Sequence, residues 1–452
     1  MSTIDVTAVI DRRRLSGLQL LVLILAGCTI VLDGIDIQAI AFAAPAIASE
    51  FSLDRASLGP VFSIGLVGMA LGSLVMGPVA DRYGRRVAVL LSVTTFGAFT
   101  FLTGFASSLN EVLAFRFFTG LGLGGTLPSL VVLVGEYAPR RMRALCAGAV
   151  LAGVPAGGLI GGLLATWAIP NFGWPSIFYI GGGLPLLMLP ILWFKLPESI
   201  SFMVRRGASD SVKVRDIMKK IDPDGAYGPD VEFAQTAGEA AASRSVPFGK
   251  LFRDGMARNT LLLWTAFFTN LMAIYFLFSW IPTLLVGTGY TIAEATTASI
   301  IFNFGGLFGL FGMGWIVNRL EGATKLVIAL ALLIGAIHVA LVGALATHLS
   351  LLLVAVFIAG VCILGTQGQL FNLGTTLYPV DVRATGIGWA AAFGRVGSVI
   401  GPLLGGVLIL LELGMPAYFG FFGSLLLIGG IAILMMRLKS PKSETATEEL
   451  PA

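Results

Sequence analysis

A chain of 452 residues that is 56% hydrophobic and only 12% charged carries about half the charge of a soluble globular protein, for which roughly 25% is usual. That excludes an ordinary water-soluble enzyme. The long apolar runs also exclude a membrane β-barrel, whose strands alternate apolar and polar over about ten residues. The formal net charge of +4 says little until the charges are placed along the chain.

Arg12, Arg13 and Arg14 precede an apolar run longer than the core of a cleavable leader, so residues 18–41 read as a retained first span. Five more spans are expected at 59–80, 86–106, 110–134, 144–168 and 174–195, each near the ~20 residues a helix needs to cross a bilayer core. A polar stretch follows, within which Ser211–Ile221 reads as a short amphipathic helix lying along the membrane surface. A second group of spans is expected at 260–286, 296–317, 324–346, 349–372, 384–411 and 416–436. The expected domains are thus a six-helix bundle over 1–196, a central loop over 197–258, and a second six-helix bundle with its tail over 259–452. Cys28, Cys146 and Cys362 are far apart, lack metal-ligand spacing, and read as apolar filler; no metal site is expected.

Of the 29 Lys and Arg residues, all but Arg55, Arg116 and Arg395 fall in the N-terminal tail, alternate loops, the central loop and the C-terminal tail. By the positive-inside rule these segments are cytoplasmic, and the number of spans is even. The expected location is the cell inner membrane, multi-pass, with both termini in the cytoplasm. The halves also repeat. Gly77-Pro-Val-Ala-Asp81-Arg82-Tyr83-Gly84-Arg85-Arg86 after span two is echoed by Gly314-Trp-Ile-Val-Asn318-Arg319 after span eight. Pro139-Arg-Arg-Met-Arg143-Ala144 after span four is echoed by Pro379-Val-Asp-Val-Arg383-Ala384 after span ten. The fold class is therefore an all-α polytopic membrane protein with twelve transmembrane helices in two pseudo-symmetric six-helix bundles, and a cavity between the halves near the midplane.

The loop at 77–86 resembles the signature of the major facilitator superfamily. The resemblance, with the 6+6 duplication, covers essentially the whole chain. In physical terms Asp81 is expected to cap or face a neighbouring helix N-terminus while Arg82, Arg85 and Arg86, hinged at Gly84, hold helix ends together. Asn318 stands where the second copy would need an acid, so a second latch is weaker. Leu32-Asp33-Gly34-Ile35-Asp36 looks like the D-G-x-D motif of the aromatic acid:proton symporters. The stretch from Arg116 through Gly120, Gly122 and Gly124 to Glu136-Tyr-Ala-Pro139 is similar to that family, as is Arg383-Ala-Thr-Gly386 leading to Gly394-Arg395. The span-four pattern and Pro197-Glu198-Ser199 are shared with sugar and organic-cation carriers, so D-G-x-D discriminates. The run from Gly397 to Gly406 resembles a drug-antiporter motif, but lies in span eleven rather than span five, and reads as close helix packing.

Ionised residues mid-span cost roughly 2.5–3.5 kcal/mol each on insertion scales, so Asp33, Asp36, Arg116 and Arg395 must pair, neutralise or face water. Asp33 and Asp36 share a helical face, and two carboxylates so placed form a candidate proton-binding pair. Asp36 and Arg116 lie at nearly the same depth, and both of their spans line the cavity in the superfamily. Asp33, Asp36 and Arg116 are accordingly the expected coupling residues, with Asp36 and Arg116 also near substrate. A guanidinium can take a carboxylate bidentately, so Arg395, near the middle of span eleven, is the expected partner of the substrate's acid group. Tyr275, Phe278, Trp280, Phe302, Phe304, Phe308 and Phe393 offer rings, while Asn270, Asn303, Gln367, Gln369 and Asn372 offer hydrogen bonds. Glu136, with Arg143 and the equivalent Arg383, belongs with Asp81 to the gate. His338 reads as a packed neutral side chain and His348 as an outer-loop residue.

The reading that follows is a proton-coupled symporter importing a small aromatic carboxylate of the benzoate or hydroxybenzoate kind. It uses no cofactor beyond protons as coupling ion. Its partners are the substrate, the proton and the lipid bilayer, with no nucleic acid, and it works as a monomer. The rivals are a carrier of the same superfamily for another organic acid, a sugar or a drug, and a membrane receptor that binds aromatic acids without moving them. No catalytic constellation stands out.

Overall fold

The computed structural model describes residues 2–207, 210–225, 227–228, 231–234, 248–253, 255–320 and 322–437. Within them twelve helices are long and apolar enough to cross a membrane. They are α1 (Gly17–Glu50), α2 (Leu58–Tyr83), α3 (Arg85–Thr103), α4 (Leu109–Tyr137), α5 (Arg140–Phe172) and α6 (Pro175–Lys195). After the central segment come α7 (Ala257–Gly287), α8 (Ile292–Arg319), α9 (Thr324–Ala344), α10 (Leu349–Leu377), α11 (Val380–Leu410) and α12 (Met415–Met435). The end of the bundle bearing the N-terminal segment and the α6–α7 connection is called the tail side below, and the opposite end the far side.

Local chemistry sets the boundaries. Ser16 and Gln19 form a reciprocal capping box at the start of α1, as do Thr291 and Glu294 at the start of α8. Gly84, at φ +104°, separates α2 from α3 in a conformation that side-chain-bearing residues rarely adopt. Two spans depart from expectation. The first runs on past Ala41 and through Pro45 to Glu50, because Ala43, Ala44, Ala46 and Ala48 are strong helix formers on either side of the proline. The fifth is interrupted at Ala152, just before Pro155, into Arg140–Leu151 and Gly153–Phe172.

The packing repeats between the halves. α2 lies on α4 with Gly68 and Gly72 against the Phe117 and Leu121 carbonyls, and α8 lies on α10 with Gly305 and Gly309 against the Phe357 and Val361 carbonyls. Likewise α1 packs on α5, and α7 on α11. The first six helices thus mainly contact one another, as do the last six. They meet along three seams, α5–α8, α2–α11 and α1–α7. Among the described residues the hydrogen bonds joining the two sets are Gln38–Asn303 and Ser63 Oγ to the Val399 carbonyl (2.9 Å), both in the far half.

On the tail side, polar links run within the first set and tie the central segment to it. Ser2–Asp5 (β1) pairs in parallel with Val231–Ala234 (β2), a sheet the sequence does not announce. Arg13 meets Asp222 (2.6 Å) and Asp224 (3.2 Å), and Arg140 meets Asp11 (3.3 Å). Ser211–Ile221 is a helix, and its Val214, Met218 and Ile221 are buried with Val6 and Ile10 against the first six helices.

Candidate functional site

The D-G-x-D stretch lies in the middle of α1, where the backbone is pressed onto α5. A Cβ on Gly34 would fall 2.3 Å from the Val154 carbonyl, and one on Gly157 would fall 2.1 Å from that of Val31. This close approach fixes the rotation of α1 and therefore where the two aspartates point.

Asp36 is fully buried and Arg116 is 3% exposed. Arg116 Nη1 donates to Asp36 Oδ1 at 2.9 Å, Nη2 to Oδ2 at 3.2 Å, and Nη2 also to the Asp36 carbonyl at 3.3 Å. Thr100 Oγ1, from α3, donates to Oδ1 at 2.6 Å. The guanidinium lies 5.9 Å from the centre of the Phe178 ring. This bidentate pair, with each carboxylate oxygen satisfied, is the arrangement in which buried charges survive.

Asp33, one turn nearer the tail side, is also buried, yet its Oδ1 has no hydrogen-bond donor. Asp33 on α1 and Tyr275 on α7 belong to helices that meet at a seam between the two halves, and Arg395 is on α11, which packs on α7. Arg395 is half-buried mid-helix and, among the described residues, makes no ion pair with a carboxylate. Tyr275 packs edge-on to Phe278 (5.9 Å between centroids), and Phe278 on Phe302 (5.6 Å).

The neutral polar residues behave differently from one another. Asn303 is fully buried and its amide is engaged. Gln38 Nε2 donates to its Oδ1 (3.0 Å), and its Nδ2 donates to Gln38 Oε1 (2.8 Å) and to the Ser299 carbonyl (2.8 Å). In this arrangement it joins α1 to α8 across the seam between the halves. Gln367 accepts from Asn270 Nδ2 (2.9 Å), joining α7 to α10, while Asn372 donates to Gln369 (3.4 Å) within α10. Phe304 and Phe308 are exposed on the outside of α8. His338 Nδ1 lies 2.8 Å from the Ile334 carbonyl of its own helix, and His348 is exposed before α10.

The tail-side motif differs from the expected latch. Asp81 is exposed and, among the described residues, pairs with Arg85 of the next helix at 3.4 Å and caps no helix. Glu198 does that work. Its Oε1 accepts from the Arg86 backbone N–H (3.1 Å) at the start of α3, and only glycine at position 84 leaves room for its carboxylate. Arg86 donates to the Trp193 carbonyl, and Arg82 lies over the Tyr83 ring. Glu136 accepts from Ser199 Oγ (2.6 Å) and from the Ser201 N–H (3.3 Å), while Tyr137 donates to the Glu198 carbonyl (2.8 Å). Arg143 is half-buried, and Arg383 Nε donates to the Tyr378 carbonyl (3.3 Å). Pro197-Glu198-Ser199 was thus the readable sign of this clasp, whereas nothing in the pattern singled out Thr100 or Gln38.

Two six-helix sets with buried charges at their junction define a membrane carrier. The sequence matches the Major Facilitator Superfamily over residues 26–396. It is 36% identical over 446 residues to the gallate transporter of Pseudomonas putida, covering 98% of both chains. It is 37% identical over 409 residues to the 4-hydroxybenzoate transporter PcaK of Acinetobacter baylyi, covering 90% of this chain and 89% of that one. The xylose transporter XylE of E. coli, in a partially occluded inward-open conformation, has the same fold. Its TM-score is 0.72 at 15% identity, over 93% of this chain and 97% of that one. The chain belongs to the major facilitator superfamily and, within it, to the aromatic acid:proton symporter family; it is a transporter and not an enzyme.

Proposed function

We propose that this chain imports a small aromatic carboxylate together with protons by alternating access, as a monomer in the cell inner membrane with its tail side in the cytoplasm. The units that rock are 1–196 and 259–452, and 197–258 links them. The observation that carries the substrate class is Arg395. A half-buried guanidinium that pairs with no carboxylate among the described residues, mid-helix on α11 where it packs on the helix of Tyr275, is suited to a monoanion that brings its own carboxylate and a ring. The gallate and 4-hydroxybenzoate relatives support that choice.

Charge balance supports coupling. Moving a monoanion into a negative interior opposes roughly 2.3 kcal/mol per 100 mV, and one accompanying proton cancels the charge. Asp33, Asp36 and Arg116 supply the ionisable centre beside the path, and Glu198, Glu136 and the 81–86 loop brace the tail side of the first unit. The test is binding of labelled 4-hydroxybenzoate to purified Arg395→Ala and Arg395→Lys. Arg395→Ala should weaken binding at least about tenfold and Arg395→Lys less, since lysine keeps the charge without the fork. Unchanged affinity in Arg395→Ala would remove Arg395 from the substrate site.

A further inference from the structure

Resting on the symport reading above, we infer that the two aspartates of α1 have separate tasks: Asp33 carries the travelling proton, while Asp36 is a fixed counter-ion that Arg116 and Thr100 hold in place. Thr100 is the positioning residue of this centre.

The first ground is which body each partner belongs to. Every donor to the Asp36 carboxylate, namely Arg116 of α4 and Thr100 of α3, comes from the first six helices, so the cluster moves as one piece with α1. A site whose surroundings never change cannot report the state of the carrier. Asp33 instead lies on the helix that forms the α1–α7 seam, with an Oδ1 that no donor of its own six-helix set holds, so its surroundings change each time the halves part.

The second ground is occupancy. Asp36 Oδ1 takes two donors and Oδ2 takes one. A proton placed there must break a bidentate pair and leave a buried guanidinium uncompensated. Asp33 Oδ1 has no donor and leaves room for a proton. The mid-span charged and titratable groups on the helices around Asp33 are Asp36 on its own helix, paired with Arg116 of α4, Tyr275 on α7, and Arg395 on α11, which packs on α7. The charged residues of α5 and α6 (Arg140, Arg141, Arg143 and Lys195) all lie at the tail end. In each cycle an O–H bond of a far-side hydronium breaks as one forms on the Asp33 carboxylate, and on the tail side that O–H bond breaks as the proton passes to water.

The third ground is how α3 reaches the centre. Gly182 of α6 sits against the backbone of Phe101, where a Cβ would come 2.3 Å from the Phe101 N. That closeness brings Thr100, the adjacent residue, within 2.6 Å of Asp36.

Two assays in proteoliposomes with labelled 4-hydroxybenzoate separate the tasks. One measures accumulation driven by an imposed proton gradient, and the other measures exchange at equal pH against preloaded substrate. Asp33→Asn should lose accumulation by at least about tenfold and keep exchange within about twofold, with its pH dependence flattened. Asp36→Asn should lose both. Thr100→Val should raise KM about threefold or more while accumulation stays pH-dependent, and Thr100→Ser should restore it. The inference is overturned if Asp33→Asn still concentrates substrate, or if Asp36→Asn keeps exchange and loses only accumulation. Monodisperse elution after purification checks folding, and the Thr100 pair carries the test should Asp36→Asn not fold. Failure of the wild-type chain to accumulate any aromatic acid would sink the symport reading itself, which is a different result from any of these.

Discussion

The far side and the tail side of this molecule are held together by different chemistry. On the far side the hydrogen bonds that join the halves are between neutral groups, with the Arg55 guanidinium lying against Gly287 beside them. Gln38 and Asn303 exchange amides, Ser63 bonds the Val399 carbonyl, Gly59 sits under Pro402 and Gly406, and Phe62 meets Trp280 edge-on at 5.0 Å. On the tail side ion pairs and charge-assisted bonds brace the first half and tie the central segment to it, through Arg140–Asp11, Arg13–Asp222 and Glu198 at the start of α3. The difference is instructive. A seam that opens every cycle is made of bonds whose parting leaves no bare charge, while a body that must stay rigid is stapled with ions.

The largest effect should come from filling the far seam. Gly158 lies beneath the amide pair, where a Cβ would sit 2.0 Å from Gln38 Nε2 and 2.5 Å from Asn303 Oδ1. Gly158→Leu should abolish closure on that side and cut uptake at least about a hundredfold. A thiol reagent applied from the far side to a Ser63→Cys background should react faster in that variant. Unchanged labelling would mean that the seam is not the barrier. Loss of bracing should cost less. Glu198→Gln removes the charge but keeps an acceptor at the start of α3, so stability should fall by about 0.5–1 kcal/mol in thermal unfolding, with uptake reduced only a few-fold. A hundredfold loss would instead make Glu198 part of the gate.

The smallest effect concerns the tail-side segments. Tyr227 is pushed up to about 12 by burial first, then by its hydrogen bond to Asp222 (3.0 Å) and the Asp222 charge, with Arg13 opposing. A raised phenol favours the protonated, docked form below its ordinary value near 10, and that contribution is lost as pH rises towards 12. Hydrogen exchange of residues 2–12, corrected for the intrinsic rate, should therefore be steady up to about pH 10 and rise above it. A rise near neutral pH would show that Tyr227 does not secure this segment.

Much of this architecture was written in periodic hydrophobicity. The twelve spans, the Ser211–Ile221 helix and the common depth of Asp36 and Arg116 all follow from counting residues along helices. What escaped depends on pairings that no local pattern encodes. Gln38 and Asn303 are 265 residues apart, and a neutral amide in an apolar helix looks the same whether it joins helices or binds a ligand. Glu198 took the capping role expected of Asp81 because the turn at Gly84 brings the α3 N-terminus to the end of α6 and leaves Asp81 facing outward. The β1–β2 pairing joins residues 2–5 to 231–234, segments too short for alternation to reveal.

Coupled import is tested by uptake of labelled 4-hydroxybenzoate into proteoliposomes holding the wild-type chain, with an imposed inward proton gradient and then with a protonophore. Accumulation above the outside concentration that collapses when the gradient is dissipated is the expected result. Equal uptake with and without the gradient, reaching only equilibration, would contradict it and leave a carrier that does not use protons.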